Sequence, residues 1–460
     1  MNKKFLASLF IAIIAVIVNI SVILNLRPDI QSAMANFHFT ITSDQAIEIQ
    51  TFYKDDREFT PDQVETYEYN TPGKACEVQI PVGVDSKYIR IDFGAVSNKT
   101  ILSNLYCDVN NKHLDIDENK LLQPVVMNEI ENIQNSTDGI EILASLGDPW
   151  LVFSVEDMNL EQLYLETVQS RYLVYKVLLC IAVDVMALFC IYNIKTILRL
   201  PLDIYTDRDM FWDLAKNDFQ ARFAGSYLGI VWAFIQPFIT MLLYWFVFQV
   251  GLRAGKVSEY PFILFLMSGL IPWFYFSEAL SGATNALLEY SYLVKKVVFN
   301  VEILPAIKVI SSIFVHLFFV AFIMIICAVY GFMPDLYYIQ VFYYIICMVL
   351  LVLGISYITA ACTAFMRDTA QLVNIFLTMG IWITPIMWNP VGVLSLPLQR
   401  LFQLNPIYYI VDGFRDSLLN KVWFWEKPIW TVYFWIITLL IYIVGIKMFS
   451  RLKIHFSDVL

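Results

Sequence analysis

Charge is scarce in this chain. Only 16% of its 460 residues are Asp, Glu, Lys or Arg, against about 25% in a soluble domain. Histidine is rarer still: His38, His113, His316 and His455 are scattered and show no metal-ligand spacing. No metal site is therefore assigned. A phosphate-binding loop is also missing. The nearest stretch, Gly251-Leu252-Arg253-Ala254-Gly255-Lys256-Val257, is one residue short of the required spacing and lacks the Ser/Thr. There is no serine-nucleophile elbow, no clustered carboxylate pair, and no basic stripe of the kind that binds nucleic acid. No catalytic residue and no cofactor is expected on this chain. Of seven cysteines, Cys180, Cys190, Cys327, Cys347 and Cys362 lie in apolar runs, where Cys behaves as a small hydrophobe.

Long apolar runs take the place of charge. They cover roughly 5–24, 172–192, 226–250, 261–280, 303–330, 338–365, 370–388 and 429–449, each near or above the ~20 residues a helix needs to cross a bilayer. The first follows Met-Asn-Lys-Lys, is longer than a signal-peptide core, and is expected to remain as an anchor although Ala33-Met34-Ala35 resembles a cleavage site. Both termini are placed in the cytoplasm, because the loops that then lie inside hold twice as many Lys and Arg as the short outer loops. Asp184 sits inside the second run, where a carboxylate requires a partner.

Between the first two runs the composition changes. Residues 27–170 hold 25 Asp+Glu against 9 Lys+Arg, a net of −16. Short β-branched or aromatic stretches at 37–41, 46–52, 76–81, 88–93 and 150–155 predict strands. Asn70-Thr71-Pro72-Gly73 and Ser97-Asn98-Lys99 predict turns. Asp108–His113 starts like a calcium loop but has Lys112 and His113 where a ligand and Gly belong. Cys76 and Cys107 are the candidate disulfide of this region, two separate thiols being the alternative.

The expected fold is thus a mainly α-helical polytopic membrane protein of about eight spans with an inserted extracytoplasmic β-sandwich. Its parts are a first span (1–26), an acidic β-rich domain (27–170), a second span (171–193), a cytoplasmic linker with an amphipathic interfacial helix (194–225) and a six-span core (226–460). In the linker Phe211, Leu214, Ala215 and Phe219 recur at helical spacing among Asp213, Lys216, Asn217 and Asp218, as in a helix lying in the headgroup plane. Gly225 and Gly229 follow as a small-residue pair of the kind that permits close helix approach. The loop 281–302 predicts a short cytosolic helix over 285–297. The outer stretch 389–428 is apolar yet broken by Pro390, Pro397, Pro406 and Gly413, and predicts a re-entrant or interfacial helix pair.

Four segments in order, FQARFAGSYLGIVWAFIQP, the run from YPFILFLMSGLIPWFYFSEAL to LVKKVVFNVEILP, LNPIYYIVDGFRD and the closing FSRLKIHFSDVL, resemble the permease subunit of type-2 ABC exporters for O-antigen, teichoic acid and capsular-type polysaccharides. The resemblance covers 211–460; residues 1–192 are an addition to its usual pattern. It implies a homodimer in the plasma membrane, two copies of a separate ATPase carrying ATP and Mg, and a lipid-linked glycan moving past membrane lipid. It assigns Glu289, Tyr292, Leu293, Lys295 and Lys296 to ATPase coupling, with a positive-inside anchor as the alternative. Phe211, Trp212, Phe219 and Arg222 become an interfacial gate helix. Trp273, Phe274, Tyr275 and Phe276 become conduit aromatics, or else an interfacial belt. The strand around Tyr88–Gly94 is similar to strands of carbohydrate-binding modules, and the acidic domain favours a neutral or zwitterionic glycan. A membrane sensor, or a glycosyltransferase or polymer ligase using Asp412, Arg415 and Asp416, are the other readings.

Overall fold

The computed structural model of the protein describes residues 3–28, 30, 33–54, 64–222, 224–225, 227–253, 260–295, 300–390 and 393–460. They form two compact units, Arg27–Val177 and the combination of Met1–Leu26 with Leu178–Leu460.

Helix α1 (Lys3–Asn25) precedes the first unit, whose described residues form eleven strands: β1 (Met34–Ser43), β2 (Ile47–Lys54), β3 (Val64–Tyr69), β4 (Cys76–Gly83), β5 (Tyr88–Asp92), β6 (Asn98–Val109), β7 (Lys112–Asp115), β8 (Val126–Asn128), β9 (Ile130–Ser136), β10 (Gly139–Ala144) and β11 (Trp150–Ser154). A one-turn helix, α2 (Asn119–Leu122), interrupts them. One antiparallel sheet runs β4-β1-β6-β10-β9 with β7 on β6, the other β3-β2-β5-β11-β8. Period-two alternation turns Phe37, Phe39 and Ile41 of β1 inward against Ile89, Ile91 and Phe153 of the second sheet. This is the expected sandwich.

Strands β1, β2, β4, β5 and β11 coincide with sequence expectations; β6 does not. Residues 97–99 read as a turn, yet Asn98 starts the longest strand. Its buried amide donates to the carbonyls of Phe93 (3.0 Å) and Val96 (2.9 Å), so turn chemistry launches the strand. Asn110 and Asn111 have φ of 49° and 69° and close the β6–β7 hairpin, as a two-residue turn requires. The calcium-like stretch is therefore a hairpin, with Asp108 already bound to His113 Nδ1 at 2.9 Å. The disulfide expectation is also corrected. Cys76 lies opposite Ile41 and Cys107 opposite Phe37, on either side of β1, and both are free. Strand spacing and rise put them on the order of 16 Å apart, whereas a disulfide needs Cα atoms within about 7 Å. Burial pushes the Cys107 thiol up to about 12.

The second unit contains the end of α3 (Leu160–Tyr192), followed by α4 (Ile194–Thr206), α5 (Arg208–Ala221), α6 (Trp232–Trp245), α7 (Phe262–Glu289), α8 (Ser291–Val294), α9 (Leu304–Val329), α10 (Gln340–Phe365), α11 (Asp368–Ile383), α12 (Leu396–Gln403), α13 (Pro406–Arg415), α14 (Pro428–Leu452) and α15 (Phe456–Val459). Helix α7 is the hub, packed by α9, α10, α11 and α13. Helices α10 and α14 approach so closely that a Cβ on Gly445 would lie 2.5 Å from the carbonyl oxygen of Gly354. Asn19 of α1 donates to Asp184 of α3 at 2.9 Å, the partner its apolar setting demanded.

Among the described residues seven helical segments are long and apolar enough to cross a membrane. The eighth expected span, 370–388, is instead α11, whose 16 residues reach only about 24 Å at 1.5 Å per residue. It stops because Pro385 disfavours helical backbone at Thr384, which takes ψ 130°. Beyond it α12 and α13 form the broken helix pair expected for 389–428. Gly225 and Gly229 have φ of 82° and 52°, and a Cβ added to either would meet nothing within 4 Å. They turn the chain between α5 and α6 and do not support a close helix crossing within this chain.

Candidate functional site

Helix α5 turns one face inward. Phe211, Ala215, Asp218 and Arg222 fall at i, i+4, i+7 and i+11, so all four share a stripe. Phe211, Ala215 and Asp218 are buried, while Trp212 remains exposed. The stripe lies on α9, where Phe219 meets Phe314 with ring centroids 5.6 Å apart.

Asp218 is only 4% exposed and is the centre of an ion network. Its carboxylate accepts from Lys308 Nζ at 2.6 Å, Ser311 Oγ at 2.6 Å, Tyr290 OH at 2.7 Å and Arg222 Nη2 at 2.9 Å. Lys308, 5% exposed, also bonds Glu289 and sits 5.1 Å from the centroid of the Tyr290 ring. Arg222 reaches on to Glu278 and to Ser312 Oγ at 3.1 Å. Helix α5, the Glu289 end of α7 and the start of α9 are thus held by one set of charges. Burial alone would raise the Asp218 carboxyl, but hydrogen bonds from Lys308 and Ser311 and the charges of Arg222 and Lys308 hold it below its ordinary value. Asp218 is ionised at neutral pH. Burial and the adjacent Asp218 carboxylate push the Tyr290 phenol well up, so it stays a donor. Withdrawing ions from water costs several kcal/mol each, and only such complete pairing offsets that.

The predicted coupling residues lie beside this network. The expected helix over 285–297 is corrected: 285–289 continue α7, and the chain breaks at Tyr290 before the single turn of α8. Glu289 is half exposed but tied to Lys308. Tyr292 and Lys295 are exposed and Leu293 packs partly on the core. Lys296 lies outside the described residues. Of the gate-helix residues, Phe211, Phe219 and Arg222 join the packed side and Trp212 the open side.

The conduit expectation fares differently. Trp273, Tyr275 and Phe276 are buried inside the helix bundle, and only Phe274 is partly open. Trp273 fills the space over Gly380 of α11, and Tyr275 donates to the Val309 carbonyl at 3.2 Å. These three rings are interhelical packing in this chain, not the lining of a passage, because α7 is surrounded on most sides.

Asp412, Arg415 and Asp416 are engaged in structural bonds. Arg415 donates to the carbonyls of Pro385 and Ile386, both at 2.8 Å, satisfying the backbone left open where α11 stops. Lys427 bonds Asp412 at 2.8 Å and Asp416 at 2.5 Å. A second clamp lies near the chain's end: Glu302, 4% exposed, accepts from Arg199 of α4 and Lys453, each at 2.6 Å.

Three central residues, Asp218, Lys308 and Glu302, escaped the sequence reading. A lone lysine in an apolar run carried the same signal as Asp184.

Residues 210–419 match the family described as ABC-2 type transporter. The chain is 26% identical over 220 residues to the O-antigen export system permease protein RfbA of Myxococcus xanthus, covering 47% of this chain and 83% of that protein. Two proteins of the same name from Klebsiella pneumoniae are 26% and 27% identical over 256 and 259 residues, each alignment covering 55% of this chain and 95% of the relative. The whole α5–α7–α9 network falls inside the matched residues, so the part of this multi-pass membrane protein that carries it is an ABC-2 type transporter membrane domain, similar to O-antigen export permeases.

Proposed function

We propose that this permease exports a lipid-linked cell-surface polysaccharide or teichoic-acid-like polymer, as a homodimer driven by two copies of a separate ATPase that carry ATP and Mg. The observation that supports this reading best is the Asp218–Lys308–Arg222 network in the part shared with O-antigen export permeases. It makes α5, the end of α7 and the start of α9 one body beside the open turn α8. A partner seated on Tyr292 and Lys295 would move that body as a unit, since charge-assisted hydrogen bonds resist independent sliding. Helix α5 would ride in the headgroup plane with Trp212 toward lipid.

Replacing Tyr292 by Ala together with Lys295 by Glu tests this. Both side chains are exposed, so the protein should insert and hold its thermal midpoint. Surface polymer should fall at least tenfold while the ATPase keeps hydrolysing. Wild-type polymer levels from the stable double variant would remove the coupling assignment.

In this reading α11 and the α12–α13 pair together carry the chain across once more, as Lys453 beside Glu302 at the α9 start supports, so that α8 and both termini are cytoplasmic and the β unit is outside. A cysteine at exposed Ser97, in a background without Cys76, should react with a membrane-impermeant maleimide in intact cells. One at Tyr292 should react only after permeabilisation. The reverse pattern would invert the topology.

A further inference from the structure

One outer face of the β unit differs from the rest. Alternation along β2, β5 and β11 sends Gln50, Phe52, Arg90, Asp92 and Trp150 to the side away from the sandwich core, with Gln50 opposite Asp92, Phe52 opposite Arg90 and Trp150 opposite Asp92. The Arg90 guanidinium lies 4.4 Å from the Trp150 ring centroid and 5.1 Å from that of Phe52. Its Nε and Nη2 both donate to Asp92 at 2.6 Å, a bidentate pair that fixes both planes. Beside this platform opens a cleft of about 300 Å³ lined by Glu48, Gln50, Asp92, Asp148 and the backbone at Gly94 and Gly147. Gly94 has φ 76°, and a Cβ there would stand 3.2 Å from the Glu48 carbonyl oxygen, so the wall needs glycine.

The geometry points to a saccharide-binding site here, with an uncharged pyranose segment of the exported polymer resting on Trp150 and its hydroxyls bonded by Gln50, Asp92 and Asp148. This rests on the proposed export function and deepens it. Planar groups held rigid on strands suit vicinal hydroxyls, and an indole offers an apolar surface to the C–H face of a sugar ring. Charge selects the class. Asp92 occupies the cation of Arg90, and Glu48 and Asp148 add two more carboxylates, so a polyanion would be repelled.

The test uses the full chain in nanodiscs and the polymer released by mild acid from cells that express it. Dextran serves as a neutral probe and hyaluronan as a polyanionic one. Saturation-transfer NMR should show the native polymer binding with a dissociation constant on the order of 0.1–1 mM, the range where few solvent-competed contacts fall, and hyaluronan not binding. Trp150→Ala should weaken binding at least tenfold. Gln50→Ala and Asp148→Ala, at more open positions that leave the sandwich core untouched, should weaken it severalfold. Wild-type affinity in all folded variants, or tighter binding of hyaluronan, overturns the site. A chain that exports polymer without binding it overturns this inference alone. One that neither exports nor binds overturns the export function as well.

Discussion

Replacing Lys308 by Met is expected to stop export and to lower the thermal midpoint of the purified protein by a large margin. Lys308 is buried and neutralises Asp218 and Glu289 together. Glu289 is half exposed and can turn to water, but Asp218 cannot. It keeps Ser311, Tyr290 and Arg222, but Arg222 also serves Glu278, so two carboxylates are left with one cation. Leaving a buried charge uncompensated costs about 3–5 kcal/mol. Asp218→Asn should cost less, because Lys308 then keeps the half-exposed Glu289 as its partner. The double variant should recover much of the stability, because a buried pair replaced by neutral groups is often nearly neutral overall. Export should not recover, since α5 is no longer keyed to α7 and α9. Thermal melting and surface-polymer quantification of the three variants supply the cycle. Additive single and double losses, or single variants as stable as the parent, would show that the network is not the lock described here. The pH sign is fixed as well: Asp218 is depressed, so its stabilising contribution is complete above about 3.9 and is lost only as pH falls through its lower folded value. Mild acidification should not imitate Asp218→Asn.

Most of the architecture was legible because its signals are one-dimensional. Apolar length identified seven of the eight expected spans, and alternation located five strands. What escaped depends on angle and neighbours. Asp218 sits in the polar stretch Asp213–Asp218, and composition assigned it to the wet side. Seven steps of 100° from Phe211 return it to the buried stripe. Lys308 was legible by the rule applied to Asp184, a lone charge in an apolar run. The conduit aromatics show the opposite error. Trp273, Tyr275 and Phe276 have the chemistry of a sugar-tolerant lining, but residue type cannot say that α7 is the hub packed by four other helices. Strand β9 went unseen for a third reason. Edge strand β9 keeps none of its residues fully buried, so it has no apolar alternation to read.

The clamp on Glu302 yields a different arithmetic from the Asp218 network. Two cations reach it, Arg199 from α4 and Lys453 beyond α14, both at 2.6 Å, and both are partly exposed while Glu302 is buried. Glu302 also stands just before α9, and Tyr357 donates to its carbonyl, so the carboxylate cannot swing out to water without disturbing that junction. Removing Arg199 leaves Lys453 to neutralise the carboxylate, and removing Lys453 leaves Arg199. Each single alanine variant should therefore lose little, in the range of a partly solvated pair, about 0–1 kcal/mol. Removing both strands a buried carboxylate and should cost about 3–5 kcal/mol. That is a strongly non-additive loss, visible as a collapse of the melting midpoint only in the double variant. Glu302→Gln added to the double variant should then restore most of the stability, because the offending charge is gone while the side-chain shape remains. Export should follow the same pattern, since Glu302 ties α4, the start of α9 and the segment after α14 together. Singles that each cost as much as half of the double, or a triple variant no better than the double, would mean that Glu302 is not the residue these two cations serve.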